Sequence, residues 1–104
     1  MTVTTRNFGL NNGRSQNMAV TSVSSRVAFL RDNAEDVMIY NTGSEVVYVR
    51  TGGDGVSVDT TGIPIAPGEK GIYSKGLGEG KWTHLAAVTA AGTSDLIISQ
   101  SKGN

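Results

Sequence analysis

Short apolar or alternating runs separated by Gly, Asn, Asp, Ser and Pro punctuate this chain, and where the period is two it places alternate side chains on opposite faces of a strand. The clearest stretch runs from Glu35 to Gly52. Its two apolar runs, Val37 to Tyr40 and Val46 to Val49, flank Asn41-Thr42-Gly43-Ser44, which reads as the turn of one β-hairpin with Gly43 supplying a positive φ. Both runs are apolar at nearly every position, so both faces should be covered and the two strands should be central, not edge. Upstream, Met18 and Val20 alternate with polar neighbours between Ser15 and Ser22, and Val27 and Phe29 do the same between Arg26 and Leu30. Downstream, Ile63-Pro64-Ile65 predicts a short edge strand, because Pro64 has no N–H for a ladder. Ala66-Pro67-Gly68-Glu69 predicts a type II turn, followed by strands at 71–74, 82–88 and 95–99. The sum is about eight short strands at the turn spacing of an antiparallel β-sandwich or jelly roll.

Residues 1–14 break the pattern. Only Val3, Phe8 and Leu10 are sizeable apolar groups there after Met1, amid Asn and Gly, which predicts an extended N-terminal arm, read either as a frayed terminus or as one that Phe8 and Leu10 anchor on this subunit or the next. The expected organisation is therefore an arm over 1–14, one β-domain over 15–100 and a loose tail over 101–104. The longest irregular stretch, from Thr51 to Gly62, is the default recognition loop, with Asp54, Val56, Val58 and Asp59 as its candidate contact residues.

Composition narrows the class of function. Among 104 residues, nine Lys plus Arg balance nine Asp plus Glu and lie singly along the chain, which argues against a nucleic-acid or anionic-membrane surface. With no Cys there is neither a disulfide framework nor a thiolate metal site. A chain this size buries roughly two-thirds of the surface its unfolded form exposes, so its core is thin and assembly with neighbours is a natural source of further stability. No signal-peptide h-region is visible, and no apolar run approaches the roughly 18 residues of a membrane span. A soluble protein made in the cytoplasm is expected.

The candidate chemistry is sparse. Gly76-Leu77-Gly78-Glu79-Gly80 resembles a phosphate loop only in composition, since no helix pattern follows it. His84 is the single histidine and reads as a structural or surface hydrogen-bonding group in a strand beside Trp82. Asp54 and Asp59 lack the dense carboxylate alternation of a calcium loop. Tyr40, Tyr48, Tyr73 and Trp82 read as packing residues before sugar platforms. No catalytic, metal or cofactor set is assigned, and no enzyme is expected.

From Val37 onward, the order of an apolar strand, Asn41-Thr42-Gly43-Ser44, Val46-Val47-Tyr48-Val49-Arg50, a Gly-rich loop, Ile63-Pro64-Ile65-Ala66-Pro67-Gly68-Glu69, Thr83 to Thr93 and a final strand resembles the small all-β decoration, or cement, proteins of tailed-bacteriophage heads. The resemblance covers about two-thirds of the chain and transfers no catalytic residues. It implies a non-enzymatic β-sandwich or jelly roll bound to the virion's capsid surface. Its partners would be the major capsid protein and copies of itself, as a trimer or dimer. The main competing class is a receptor- or carbohydrate-binding module of a fibre or adhesion protein, and a third is a remote glycan-active enzyme.

Overall fold

The computed structural model describes residues 14–28, 36–74 and 83–101. The expected arm with Phe8 and Leu10, Phe29, the 76–80 glycine loop, Trp82 and residues 102–104 lie outside them. Eight strands are present: β1 (Arg14–Val20), β2 (Ser25–Ala28), β3 (Asp36–Asn41), β4 (Val47–Gly52), β5 (Ile63–Ile65), β6 (Lys70–Ser74), β7 (His84–Thr89) and β8 (Ser94–Ser101). They form two four-stranded antiparallel sheets, sheet A in the order β1-β8-β3-β6 and sheet B in the order β2-β7-β4-β5. Except for β4, which is followed by β5 of the same sheet, each strand is followed by one in the other sheet, so the chain winds around a shared core as in a jelly roll.

The two-residue period builds that core. Met18 and Val20 of β1, Val37 and Ile39 of β3, Val47 and Val49 of β4, Ile65 of β5, Leu85 and Ala87 of β7, and Leu96 and Ile98 of β8 point inward and are buried. Fully burying each of the large aliphatic side chains contributes about 1.5–3 kcal/mol. Gln16 also bridges the layers, its Nε2 donating to the Ala28 carbonyl at 3.0 Å.

The expected hairpin is corrected. β3 pairs with β6 and β8, and β4 pairs with β5 and β7, so Asn41 to Val46 carries the chain from sheet A to sheet B. Both strands are nevertheless central, as their two-sided apolar character predicts. Gly43 does not take a positive φ; among the described glycines only Gly68 and Gly92 do. Its role is closeness: a Cβ there would run into Ser94 Oγ and come within 2.7 Å of the Asp95 amide nitrogen.

The physical reason for the crossing lies in Asn41, which is fully buried. Its Nδ2 donates to the carbonyls of Glu45 at 2.7 Å and Ile65 at 2.8 Å. Its Oδ1 accepts from the Gly43 amide at 3.0 Å and the Ser94 hydroxyl at 2.7 Å. One side chain thereby ties β3, the crossover, β5 and β8 together, and the chain leaves sheet A where a hairpin would have turned back. The type II turn at 66–69 forms as expected, with Gly68 at φ +79° and the Glu69 amide donating to the Ala66 carbonyl at 2.9 Å.

Candidate binding surfaces

Three surfaces are distinguishable, and the first is the 53–62 loop. β4 and β7 turn Tyr48, Ala86 and Val88 to the outer side of sheet B, and the loop folds back so that Val56 and Val58 pack on them. Val58 is buried, and its amide donates to Ser24 Oγ at 3.0 Å, which fastens the loop to the β1–β2 connection. Arg50 reaches over it to Thr61 Oγ1 at 3.3 Å. Gly62 permits the return into β5, because a Cβ there would stand 2.8 Å from the Val49 carbonyl oxygen. Of the four loop residues singled out from the sequence, Val56 and Val58 are thus used within the chain, whereas Asp54 and Asp59 are exposed.

Asp59 caps its own turn. Its Oδ1 accepts the Thr61 hydroxyl and, at 2.9 Å, the Thr61 amide. The hydroxyl first, then the amide and the Arg50 charge, hold its carboxyl below the ordinary 3.8. Asp54 faces His84 instead, with Oδ1 3.6 Å from Nε2, while the other ring nitrogen lies 2.8 Å from Thr83 Oγ1. This string of hydroxyl, imidazole and carboxylate links the 53–55 turn to the start of β7. No group of three or more metal-ligating side chains occurs among the described residues.

The second surface is the outer face of sheet A. Cross-strand register sets Met38 beside Ile72, and Tyr40 between Lys70 and Ile97. Lys70 Nζ stands 5.2 Å from the Tyr40 ring centre, a cation–π contact. Met38, Tyr40 and Ile97 are partly buried, and Ile72 keeps 42% of its surface open. The covering loop lies over sheet B, and among the described residues this apolar row has no counterpart to Val56 and Val58.

The third is a notch of about 130 Å³ between the sheets, lined by Val37, Ile39, Val49, Arg50, Thr51, Ile63, Tyr73 and Leu85. β5 and β6 are the edge strands on that side and do not pair with each other. Ile63 opposes the inward-facing Val49, yet it is 54% exposed because the notch opens beside it. The Tyr73 ring leans back over Gly71, where a Cβ would meet its hydroxyl at 2.7 Å. Sequence reasoning missed Ile63, Ile72 and Tyr73 as surface candidates. The available signal was the pair of apolar residues on strands that Pro64 and the neighbouring turn mark as edges.

No protein-family model matches the chain, and no curated protein matches it in sequence. Solved structures match in fold. A conserved protein of unknown function from Pseudomonas aeruginosa PAO1 aligns with a TM-score of 0.57 at 14% identity, over 89% of this chain and 41% of its own length. This chain therefore spans less than half of that protein. A de novo designed double-stranded β-helix aligns with a TM-score of 0.50 at 14% identity, over 84% of this chain and 96% of the design. HppE, solved with cobalt(II) in complex with its substrate, aligns with a TM-score of 0.52 at 10% identity, over 86% of this chain and 44% of HppE. The HppE match corrects the expectation that the chain is no enzyme. A double-stranded β-helix also carries a protein that binds a substrate, so missing sequence motifs do not exclude catalysis on this fold. At these identities the matches establish the fold, an all-β, eight-stranded double-stranded β-helix.

Proposed function

We propose that this chain is a docking module that seats the outer face of sheet A on a larger protein array. The array implied by the sequence resemblance is the shell of a tailed-phage head, with the major capsid protein beneath and copies of this chain, as trimers or dimers, beside it. The observation that carries the reading is the contrast between the two outer faces. On sheet B the loop buries Ala86 and Val88 and leaves Tyr48 half-buried, whereas sheet A carries half-buried Met38, Tyr40 and Ile97 and the open Ile72 in two adjacent cross-strand rows with no covering segment among the described residues. A flat apolar row flanked by polar groups is the surface an interface covers.

Co-sedimentation with undecorated heads tests this reading. Ile72→Glu places a charge at the edge-strand end of the row and is expected to reduce retention at least tenfold while leaving the melting temperature within a few degrees, because the side chain is exposed in the free chain. Retention equal to that of the parent, or no retention of the parent itself, contradicts the proposal.

A further inference from the structure

We infer that the notch between β5 and β6 is a receptor site for a small, neutral, largely hydrocarbon molecule about the size of benzene or toluene. Its volume of about 130 Å³ is close to the roughly 150 Å³ of an apolar protein cavity that accepts benzene, and well below the roughly 300 Å³ at which pockets for drug-sized ligands begin.

The lining defines the chemistry. Ile63, Tyr73 and Thr51 supply the accessible wall, and Val37, Ile39, Val49 and Leu85 lie directly behind it, almost wholly buried. Strand alternation turns the Arg50 side chain to the outer face of sheet B, where its guanidinium is held by Thr61 and by the Ser57 carbonyl at 3.5 Å, so it adds no charge to the interior. Among the described residues, the polar side-chain groups that remain in the wall are the hydroxyls of Thr51 and Tyr73. A carboxylate or ammonium placed there would lose its hydration without gaining a partner charge, which excludes ionised ligands. A neutral ring with at most one hydroxyl fits.

Gly71 supports the same assignment. Because it lacks a Cβ, the Tyr73 ring can lie back along β6 instead of swinging into the space between the sheets. The notch is thus kept open by a specific glycine, and the aromatic face of Tyr73 becomes part of its wall.

The test is a titration of the full, isotopically labelled chain with benzene, toluene and benzoate, read by NMR at the methyl groups. Benzene and toluene are expected to shift Val37, Ile39, Val49 and Leu85 methyls saturably, and benzoate to bind at least tenfold more weakly. Ile63→Phe plugs the mouth at an exposed position, so the variant should fold and lose at least tenfold in benzene affinity. Ile72→Glu, on the other face, should bind benzene as the parent does, which separates this site from the docking reading. Non-saturating shifts, shifts centred on the outer face of sheet A, or unchanged affinity in Ile63→Phe would overturn the inference. So would loss of head binding in Ile63→Phe without any benzene binding by the parent, which would make the notch the seat of a partner's side chain.

Discussion

Replacing Asn41 by Leu tests the crossover that distinguishes this fold from a simple meander. The two side chains share the same branching, so the change removes the hydrogen bonds and sets bulkier methyl groups against partners that now stand 2.7–3.0 Å away. Of the four partners, the Ile65 carbonyl and the Ser94 hydroxyl belong to buried residues, and each costs about 1–3 kcal/mol when left unsatisfied. The Glu45 carbonyl and Gly43 amide are only part-buried and can regain water, at about 0.5–1 kcal/mol each. Burying the leucine methyls returns about 1.5–3 kcal/mol, which leaves a net loss of about 1.5–5 kcal/mol. Against a total stability of about 5–15 kcal/mol for a domain, that loss should lower the melting temperature by about 10–25 °C. Urea unfolding followed by circular dichroism measures it, with an unchanged slope showing that the denatured state is not altered. Asn41→Asp sharpens the test. Its carboxylate would face the Glu45 and Ile65 carbonyl oxygens in a buried site, so its folded-state pKa is raised. The stability it retains relative to the parent is then fully present below the unfolded pKa of about 3.9 and is lost as pH rises through the folded value. A loss below about 1 kcal/mol in Asn41→Leu, or an Asp variant that gains stability with rising pH, would refute the role given to this residue.

Two glycines should fail for different reasons. Gly43→Ala is destabilising through its collision with Ser94 and the Asp95 amide, and Ser94→Ala should relieve part of the loss in a double-mutant cycle. Gly68→Ala meets no atom within 4 Å, but its φ of +79° costs about 1–2 kcal/mol, and Gly68→Asn should cost less; equal losses for Ala and Asn would contradict this. Thr61→Val removes the hydroxyl that most depresses the Asp59 carboxyl, so NMR titration should show its pKa rising toward 3.8. In the parent, the Asp59–Thr61 contact is present above that range and is lost as pH falls through the depressed value, which should appear as exchange broadening of the 59–62 amides in acid.

The strands were legible in the sequence because period-two alternation and turn chemistry are local. Pro67-Gly68 specified its turn, and Pro64 specified an edge strand, from the residues themselves. The pairing was not legible. Val37–Tyr40 and Val46–Val49 look like the arms of a hairpin, and the side chain that separates them, Asn41, acts through Ile65 and Ser94, which lie 24 and 53 residues away. Gly43 was recognisable as necessary, but its reason, the approach of Ser94, is equally non-local. The loop residues show the same limit. Val56 and Val58 carry the apolar signature of a contact surface, and only the return of the chain over Tyr48, Ala86 and Val88 reveals that sheet B receives them. The notch needs β5 and β6 to lie as unpaired edges of different sheets, which no single run of residues reveals.

Docking through sheet A is tested most directly by cryo-electron microscopy of heads saturated with the purified chain. The account predicts density for the double-stranded β-helix with Ile72, Met38 and Tyr40 against the shell and the 53–62 loop, with Asp54 and Asp59, facing away from it. Density with the 53–62 loop against the shell and sheet A open to solvent, or heads that carry no additional density, would contradict it.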